Sequence, residues 1–455
     1  MNYENDTIAA IATAPGEAGI AVVRISGNKS LSIADKFLAS NKKPSQCKRP
    51  ALLHGHFRFE DEEIDEVLVL VMPKPKSYTK EDIVEIQCHG GYLVSQRILR
   101  CLLAAGARMA NPGEFTARAF LNGRLDLVQA EAVADLIHAQ TERATKSAVE
   151  QLKGDLSQKL DLVYANIMDI ISDLESGLDF SEEEAPPVPS VYIRNRMTVI
   201  QKEIEELIST HDEGTLLREG ARVVISGKPN VGKSTLLNKL LDSERAIVSE
   251  IPGTTRDTIE ERIVLDGFPI ILTDTAGLRD TECQIEAEGI RRTMYQIDRA
   301  NLHIYIIDAS IGVTAEDKTF LEKQDPARSI LVRNKVDLGT NKTSEIVKLD
   351  CIDAILVDKQ GLTEIKDMLK AKLEMHLNVR DEPHSTISER HYKALTIVRC
   401  ELKEADRLVR EIVDGYEVLA VEHLRTAAET IGEILGKNYH QDLLDSVFSK
   451  FCIGK

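Results

Sequence analysis

Gly227-Lys228-Pro229-Asn230-Val231-Gly232-Lys233-Ser234 follows an apolar run, Ala221-Arg222-Val223-Val224-Ile225, and precedes Thr235-Leu236-Leu237-Asn238-Lys239-Leu240-Leu241, whose apolar residues have helical spacing. A buried strand, a glycine-containing loop and a helix in that order aim backbone N–H groups at one point, the N-terminus of the helix, where a phosphate is favoured. Gly227 and Gly232 allow the backbone to wrap closely, Lys233 reaches the β- and γ-phosphates, and Ser234 offers a hydroxyl to Mg²⁺. Val231 and Thr235 complete the expected contact with the nucleotide. The stretch predicts a nucleotide site in a doubly wound, mostly parallel α/β sheet.

The base is decided about a hundred residues later. Asn334-Lys335-Val336-Asp337 follows the apolar residues Ile330-Leu331-Val332, at a strand's C-terminal end, where open α/β sheets bind ligands. The Asp337 carboxylate can accept from both the ring N–H and the exocyclic amine of guanine, whereas adenine would leave it unpaired. Between the two motifs lies Asp274-Thr275-Ala276-Gly277, with Asp274 expected to steer Mg²⁺ through a water and the Gly277 N–H to sense the γ-phosphate. Gly253-Thr254-Thr255-Arg256-Asp257 occupies the first switch, where the Thr255 hydroxyl closes the Mg²⁺ shell. The order of these motifs predicts a GTP hydrolase.

One position departs from the Ras pattern, in which a glutamine orients the attacking water. Here Leu278 follows Asp-Thr-Ala-Gly, so a polar group must come from elsewhere, and Glu282, Gln284 and Glu286 follow it. No arginine finger is assignable. Asn230 reads first as a turn residue that tolerates left-handed backbone. Its amide oxygen is also placed to hold a monovalent cation against the phosphates.

At 455 residues the chain predicts roughly two to four domains. Tryptophan is absent and aromatics make up 4%, which argues against base stacking as the main occupation of its surface. The net charge of −17 is uneven: residues 1–120 hold 15 Lys+Arg against 14 Asp+Glu, so the remainder carries −18. Nucleic-acid contact is therefore expected to be local. Seven cysteines, at 47, 88, 101, 283, 351, 400 and 452, include no Cys-x-x-Cys, which disfavours a zinc site and suits a reducing compartment. No apolar run approaches the ~20 residues of a membrane span. No basic residue precedes Arg24, so no leader and a cytoplasmic location are expected.

Strands are expected at 223–226, 259–265, 270–274, 302–308, 329–333 and 352–357, with Asp266-Gly267 turning the second antiparallel to the third. Leu152, Leu156, Leu160, Val163, Ile167, Ile170 and Leu174 step by three and four, as do Tyr392, Leu395, Val398, Leu402, Ala405, Leu408 and Ile412. Met197, Ile200, Ile204 and Leu207 add a shorter helix, after a break in the proline-rich stretch 181–189. The economical arrangement is an N-terminal α/β domain (1–120) and a discontinuous helical domain (121–215 and 379–455), with the GTPase domain (216–378) inserted in it. In residues 1–120 the β-type runs 20–25, 67–72 and 83–87 alternate with the loops His89-Gly90-Gly91 and Pro112-Gly113-Glu114-Phe115-Thr116. By themselves these give fold class and no function.

Together, Arg24-Ile25-Ser26-Gly27, His89-Gly90-Gly91, Pro112 to Thr116, Ala119-Phe120-Leu121-Asn122-Gly123-Arg124-Leu125-Asp126-Leu127 and the terminal Cys452-Ile453-Gly454-Lys455 resemble the tRNA-modification GTPase family MnmE, also called TrmE, over the whole chain. The resemblance implies a homodimer joined by its N-terminal domains and a partner flavoprotein, MnmG (GidA), in a heterotetramer that brings FAD only through the partner. It also implies a 5-formyl or 5,10-methylene tetrahydrofolate and chemistry at C5 of the wobble uridine of certain tRNAs, the product being an aminomethyl or carboxymethylaminomethyl group. The folate site would match Arg24, Glu85, Arg124 and Lys455, with Glu85 pairing the donor edge of the pterin as Asp337 pairs guanine. Arg124 stands where many members have lysine. Asn230 becomes a K⁺ ligand with Ser249, Ile251 and Thr254, on a nucleotide-contacting loop that includes Glu250, Pro252 and Gly253; some members have threonine in place of Ser249. Glu286 matches the catalytic glutamate, beside Lys233. Val357-Asp358-Lys359 replaces the usual Ser-Ala-Lys near the base. Cys452, four from the end, formally fits a prenylation box, but Gly454 and Lys455 suit that signal badly; it reads either as a thiol near the folate or as a structural cysteine. A regulatory or ribosome-assembly GTPase without modification chemistry is the alternative.

Overall fold

The computed structural model describes residues 6–179, 189–244, 260–274, 294–340, 349–358, 360–377, 384–411 and 415–455. Its contacts divide it into two units: Met1–Ala134 with Gln151–Ile200 and Ile397–Lys455, and Asp135–Glu150 with Gln201–Thr396. Among the described residues no helix is long and apolar enough to cross a membrane.

The first unit is built on a seven-stranded sheet in the order β3-β4-β5-β6-β2-β1-β7. Its strands are β1 (Ile8–Ile11), β2 (Ile20–Ser26), β3 (Leu38–Ala39), β4 (Ala51–Phe59), β5 (Glu62–Met72), β6 (Ile83–His89) and β7 (Arg108–Met109). The three runs expected from sequence fall inside β2, β5 and β6. Side chains alternate between faces with period two. Thus Val23 and Ile25 of β2 and Val84 and Ile86 of β6 are buried against Ile33, Phe37, Ile98 and Leu102 of the helices Ser30–Phe37 and Tyr92–Ala104. Arg24 and Glu85, one position out of phase, are left for the opposite face.

The helical part of this unit includes Asp155–Asp179 and Tyr416–Leu435, whose buried stripes (Leu160, Val163, Ile167, Ile170 and Leu424, Ala428, Ile431) repeat by three and four. The expected run beginning at Leu152 is two helices, not one. Gly154, with φ 96°, ends Glu142–Lys153 before Asp155–Asp179 begins, a conformation that β-carbon-bearing residues resist. The shorter expected helix is Ser190–Ile208, and the long C-terminal one is Glu389–Glu411. Ile412 and 181–188 of the proline-rich stretch lie outside the described residues.

The second unit holds a six-stranded sheet in the order β13-β12-β11-β8-β10-β9, made of β8 (Ala221–Gly227), β9 (Glu260–Leu265), β10 (Phe268–Asp274), β11 (Leu302–Asp308), β12 (Ser329–Asn334) and β13 (Asp350–Ala354). All neighbours are parallel except β9 and β10. Asp266 and Gly267, at φ 47° and 86°, form the tight turn that reverses β9 into β10. Buried on both faces, β8 and β11 are near-continuous apolar runs. The sixth strand ends at Ala354 rather than at 357, because the chain turns into the short 3₁₀ helix Leu356–Asp358.

Candidate functional site

The phosphate loop leaves the C-terminal end of β8 and runs into the helix Lys233–Glu244. A β-carbon on Gly227 would lie 2.3 Å from the Ile306 oxygen, and one on Gly232 would lie 2.4 Å from Asn334 Nδ2, so both positions demand glycine. Their φ values of 143° and 112° require it independently. Asn230 has φ 61°, the left-handed conformation expected of a turn residue, and its side chain is exposed. The Lys233 side chain is buried, its Nζ donating to the Lys228 oxygen at 2.7 Å.

The segment 334–337, expected from sequence to select guanine, is bonded to this loop. Asn334 Nδ2 donates to the Val231 oxygen at 2.8 Å, and Asn334 Oδ1 accepts from the Leu356 N–H at 3.1 Å. Lys335 Nζ donates to the Asn230 oxygen and to Asp308 Oδ2, each at 2.8 Å. Burial alone would raise the Asp308 pKa; the bonds from Lys335 and Ser310 outweigh it and hold it below the usual carboxylate value. Asp337 stands exposed in the 3₁₀ turn Val336–Leu338, with Val357 and Asp358 exposed beside Leu356. The structure therefore brings together Asn230, Val231, Asn334, Lys335 and Leu356 by direct bonds.

Sequence reasoning missed one set of residues here. Lys228 Nζ donates to Thr314 Oγ1 at 2.6 Å and lies 3.4 Å from Asp317 Oδ2, while Tyr305 donates its hydroxyl to Asp317 Oδ1 at 2.7 Å. Thr314 and Asp317 form the capping box of the helix Ala315–Leu321, a pattern legible in Thr-Ala-Glu-Asp. Ser249, Glu250, Ile251, Pro252, Gly253, Thr254, Thr255, Thr275, Ala276, Gly277, Leu278, Glu282, Gln284, Glu286 and Lys359 lie outside the described residues, and of Asp274 only the backbone, at the end of β10, is described.

A second cluster forms in the first unit. Arg24 and Glu85 are register partners on β2 and β6, and Arg24 Nε donates to Glu85 Oε1 at 2.8 Å. Arg24 Nη1 donates to the Gly454 oxygen at 3.1 Å, so a side chain near the N-terminus holds the C-terminal segment. The Phe115 N–H donates to the Lys455 oxygen at 3.2 Å, and the Gly113 N–H to the Cys452 oxygen at 3.4 Å. Gly454, at φ 99°, passes so near β1 that a β-carbon would lie 2.5 Å from the Ile11 oxygen. Arg24 Cζ lies 5.4 Å from the Phe115 ring centre and 5.8 Å from that of Tyr78, over which Arg124 Cζ sits at 4.7 Å. Burial pushes the Tyr78 phenol up, and burial followed by the Arg24 charge holds the Lys455 ammonium below an ordinary lysine. Cys452 is exposed. Glu85 Oε2 accepts no hydrogen bond among the described residues and remains open to an outside donor. Tyr78 and Phe115 were not singled out from sequence as site residues; Phe115 stands in the marked stretch 112–116, whereas no sequence signal marked Tyr78.

The family model of the MnmE helical domain matches residues 127–452, and that of the GTP-binding protein TrmE N-terminus matches residues 7–124. The chain is 41% identical over 470 residues to the tRNA modification GTPase MnmE of Alkaliphilus oremlandii, covering 100% of both. It is 41% identical over 460 residues to that of Geobacter sulfurreducens, again covering 100% of both, and 39% identical over 463 residues to that of Lactiplantibacillus plantarum, covering 99% of both. Among solved structures it is similar to the G domain of the T. maritima FeoB iron transporter, with 25% identity, 34% of this chain and 98% of that chain covered, and a TM-score of 0.26.

Proposed function

The chain belongs to the MnmE family of tRNA modification GTPases, and on that premise we propose that it is a K⁺-activated GTPase acting with a flavoprotein partner, MnmG. The pair would use a 5-formyl or 5,10-methylene tetrahydrofolate to build an aminomethyl or carboxymethylaminomethyl group at C5 of uridine 34 of certain tRNAs, in the cytoplasm. The chain would act as a homodimer joined by residues 1–120, with its helical domain (121–215, 379–455) carrying the inserted GTPase domain (216–378).

One observation carries the folate reading: Arg24, Glu85 and the Gly454 carbonyl converge by direct bonds although Arg24 and Gly454 are 430 residues apart. The open Oε2 of Glu85 fits the adjacent N–H donors of a pterin edge, and Arg24, Arg124 and Lys455 supply the positive charge its carboxylates need. Bound there, a tetrahydrofolate would supply the one-carbon unit. Cys452, exposed on the same segment, is within the part of the chain that the family reading places near that carbon.

On the nucleotide, Lys233 would swing from the Lys228 oxygen to the phosphates, Asn334 and Lys335 would hold the loop, and Asp337 would accept from guanine. Ser234 and Thr255 would hold Mg²⁺. Asn230, Ser249, Ile251 and Thr254 would hold K⁺, an all-oxygen set suited to a hard cation. The exposed side chain of Asn230 has no hydrogen-bond partner among the described residues, which fits that role. Together the two cations would neutralise charge that an arginine finger supplies elsewhere. Glu286 would orient the attacking water in place of the glutamine that Leu278 replaces.

The test is mass analysis of nucleosides in tRNA from a strain lacking the gene. Loss of the C5 aminomethyl-type groups at uridine 34 is expected, restored by the wild-type chain and not by a Glu85→Ala variant. Unaltered tRNA with disturbed ribosomal subunits would instead support a regulatory GTPase.

A further inference from the structure

Residues 73–80, Pro-Lys-Pro-Lys-Ser-Tyr-Thr-Lys, carry three lysines. The segment is tied to 122–124 by bonds from Asn122 Nδ2 to the Thr79 oxygen at 2.6 Å, Lys80 Nζ to the Gly123 oxygen at 2.7 Å and Arg124 Nη1 to the Ser77 oxygen at 3.3 Å. Lys74, Lys76 and Arg124 are exposed, and the ammonium groups of Lys74 and Lys76 have no hydrogen-bond or ion-pair partner among the described residues.

Several arginines of the same unit are neutralised: Arg58 by Glu63, Arg97 by Glu62, Arg108 by Asp6 and Glu114, Arg118 by Glu114. The carboxylates that follow the lysines in sequence are already engaged. Glu81 faces Ser26 and Arg118, Asp82 accepts from the Lys74 N–H, and Glu85 holds Arg24. A rim of uncompensated positive charge thus surrounds Tyr78, whose ring lies under Arg124 and beside Arg24.

On a chain of net charge −17, a polyanion is repelled by most of the surface and must meet a local basic one. We propose that Lys74, Lys76, Lys80 and Arg124 form the surface on which this chain takes the phosphate backbone of its tRNA. The inference rests on the tRNA reading above and adds the place of contact. Phosphates held on this rim bring a splayed-out nucleotide of a single-stranded loop next to Arg24 and Glu85, the form in which RNA bases are usually presented to proteins. A second exposed basic stretch, Lys36, Lys42, Lys48 and Arg49, has no bond to that cluster and serves as the control.

The experiment uses the full-length chain and an unmodified tRNA with uridine at position 34, its binding followed by anisotropy over a range of KCl concentrations. For the double variant Lys74→Glu/Lys76→Glu, affinity should fall about tenfold or more. The slope of log K against log salt should flatten by about 1.4, about 0.7 for each lost single-strand phosphate contact. GTP turnover and folate titration should be unchanged, and Lys42→Glu/Lys48→Glu should bind as wild type. Equal tRNA binding by Lys74→Glu/Lys76→Glu, or a loss confined to Lys42→Glu/Lys48→Glu, overturns the assignment. So does a variant that keeps tRNA but loses preference for polyglutamylated over monoglutamylated folate, since the rim would then serve a cofactor tail. A loss only of flavoprotein binding would make it a protein interface and overturn it as well. A wild-type chain indifferent to tRNA, with and without the flavoprotein, overturns the tRNA reading itself and this surface with it.

Discussion

Lys335 donates from its ammonium to the main-chain oxygen of Asn230 at 2.8 Å, so the residue after Asn334 in the motif expected to select guanine holds the phosphate loop. The same ammonium is 2.8 Å from Asp308 Oδ2, and its residue adopts φ 66° to reach both. The segment expected to read the base and the phosphate loop are thereby bonded to each other. Lys335→Met removes both bonds and leaves the Asp308 carboxylate without its cation. The bond to the loop, charge-assisted, is worth about 1.5–3 kcal/mol, so GDP and GTP affinity should fall roughly ten- to a hundredfold. Titration with a fluorescent GDP measures it, and unchanged affinity would mean that the loop holds itself.

Asp337 is the group expected to distinguish guanine, and its exposure at the turn Val336–Leu338 leaves it available to a base. Asp337→Asn exchanges one acceptor oxygen for a donor. Xanthine, which presents a carbonyl where guanine has an amine, should gain relative to guanine. The measurement is the ratio of XTP to GTP affinity. A variant that keeps its GTP affinity places the base pocket elsewhere.

Gly454 admits no side chain. A β-carbon there would lie 2.5 Å from the Ile11 oxygen and 2.9 Å from Ala12 Cα, with φ at 99° in addition. Gly454→Ala should therefore lift the Cys452–Lys455 segment from Arg24 and Phe115, a strain of about 1–3 kcal/mol. Folate affinity should drop about tenfold or more while GTP turnover by the unstimulated enzyme is retained. Intact folate binding in this variant would separate the folate from the C-terminal segment.

Much of the GTPase half was legible because its signals are local. Residues 302–308 read as a buried strand and are one, and Asp266-Gly267 supplies the two positive φ values its turn needs. What escaped depends on distant partners. β4 went unread although buried Leu53, Gly55 and Phe57 alternate with His54, His56 and Arg58, because Gly55 takes an inward position where a strand signal expects an apolar side chain; the glycine is needed because a β-carbon would meet the Ala39 oxygen at 2.5 Å. The strand expected to reach 357 stops early because Asn334 takes the Leu356 N–H that a longer ladder would use. The bond from Lys228 to Thr314 joins residues 86 apart, and only the capping box at its far end has a sequence pattern. In residues 1–120, motifs marked the loops, but Arg24 meets Glu85 through strand pairing and Gly454 through a bond to the C-terminal segment, neither of which a local pattern encodes.

His303 on β11 is buried, with Nε2 2.6 Å from the hydroxyl of Ser226, the residue before the phosphate loop. Burial pushes its pKa down from 6.5 to about 4. Between those values the unfolded chain binds more protons than the folded one. The stability gained from the neutral ring is thus complete above pH 6.5 and lost as the pH falls toward 4. The full difference is on the order of 3 kcal/mol. His303→Gln, which has nothing to titrate there, should be less stable than wild type near neutrality and approach it as the pH falls through that window. Unfolding midpoints of both chains over the window provide the comparison; a constant gap would show that the ring's protonation is not what acid adds.

Asn230 carries two readings that one substitution separates. Its φ of 61° makes it a left-handed turn residue, and its exposed side chain leaves the amide oxygen available for the proposed K⁺. Asn230→Ala damages both, since alanine resists that backbone at a cost of about 1–2 kcal/mol. Asn230→Gly keeps the turn and removes only the oxygen. The need for such a cation is electrostatic: no arginine finger is assignable, and one is worth roughly 10³ to 10⁵ in rate elsewhere. If the oxygen matters, wild type should turn over GTP faster in K⁺ than in Na⁺, whose smaller ion fits the same cage poorly. The preference should grow as GTPase domains pair and close the segment 249–254 over the ion. Asn230→Gly should lose the K⁺ preference while Lys233 and Ser234 still hold Mg²⁺-GTP. The measurement is steady-state turnover of both proteins in KCl and NaCl at equal ionic strength. If wild type is indifferent to the salt, the cation has no part in the reaction; if Asn230→Gly keeps the K⁺ preference, its ligand is another residue and Asn230 serves only the turn.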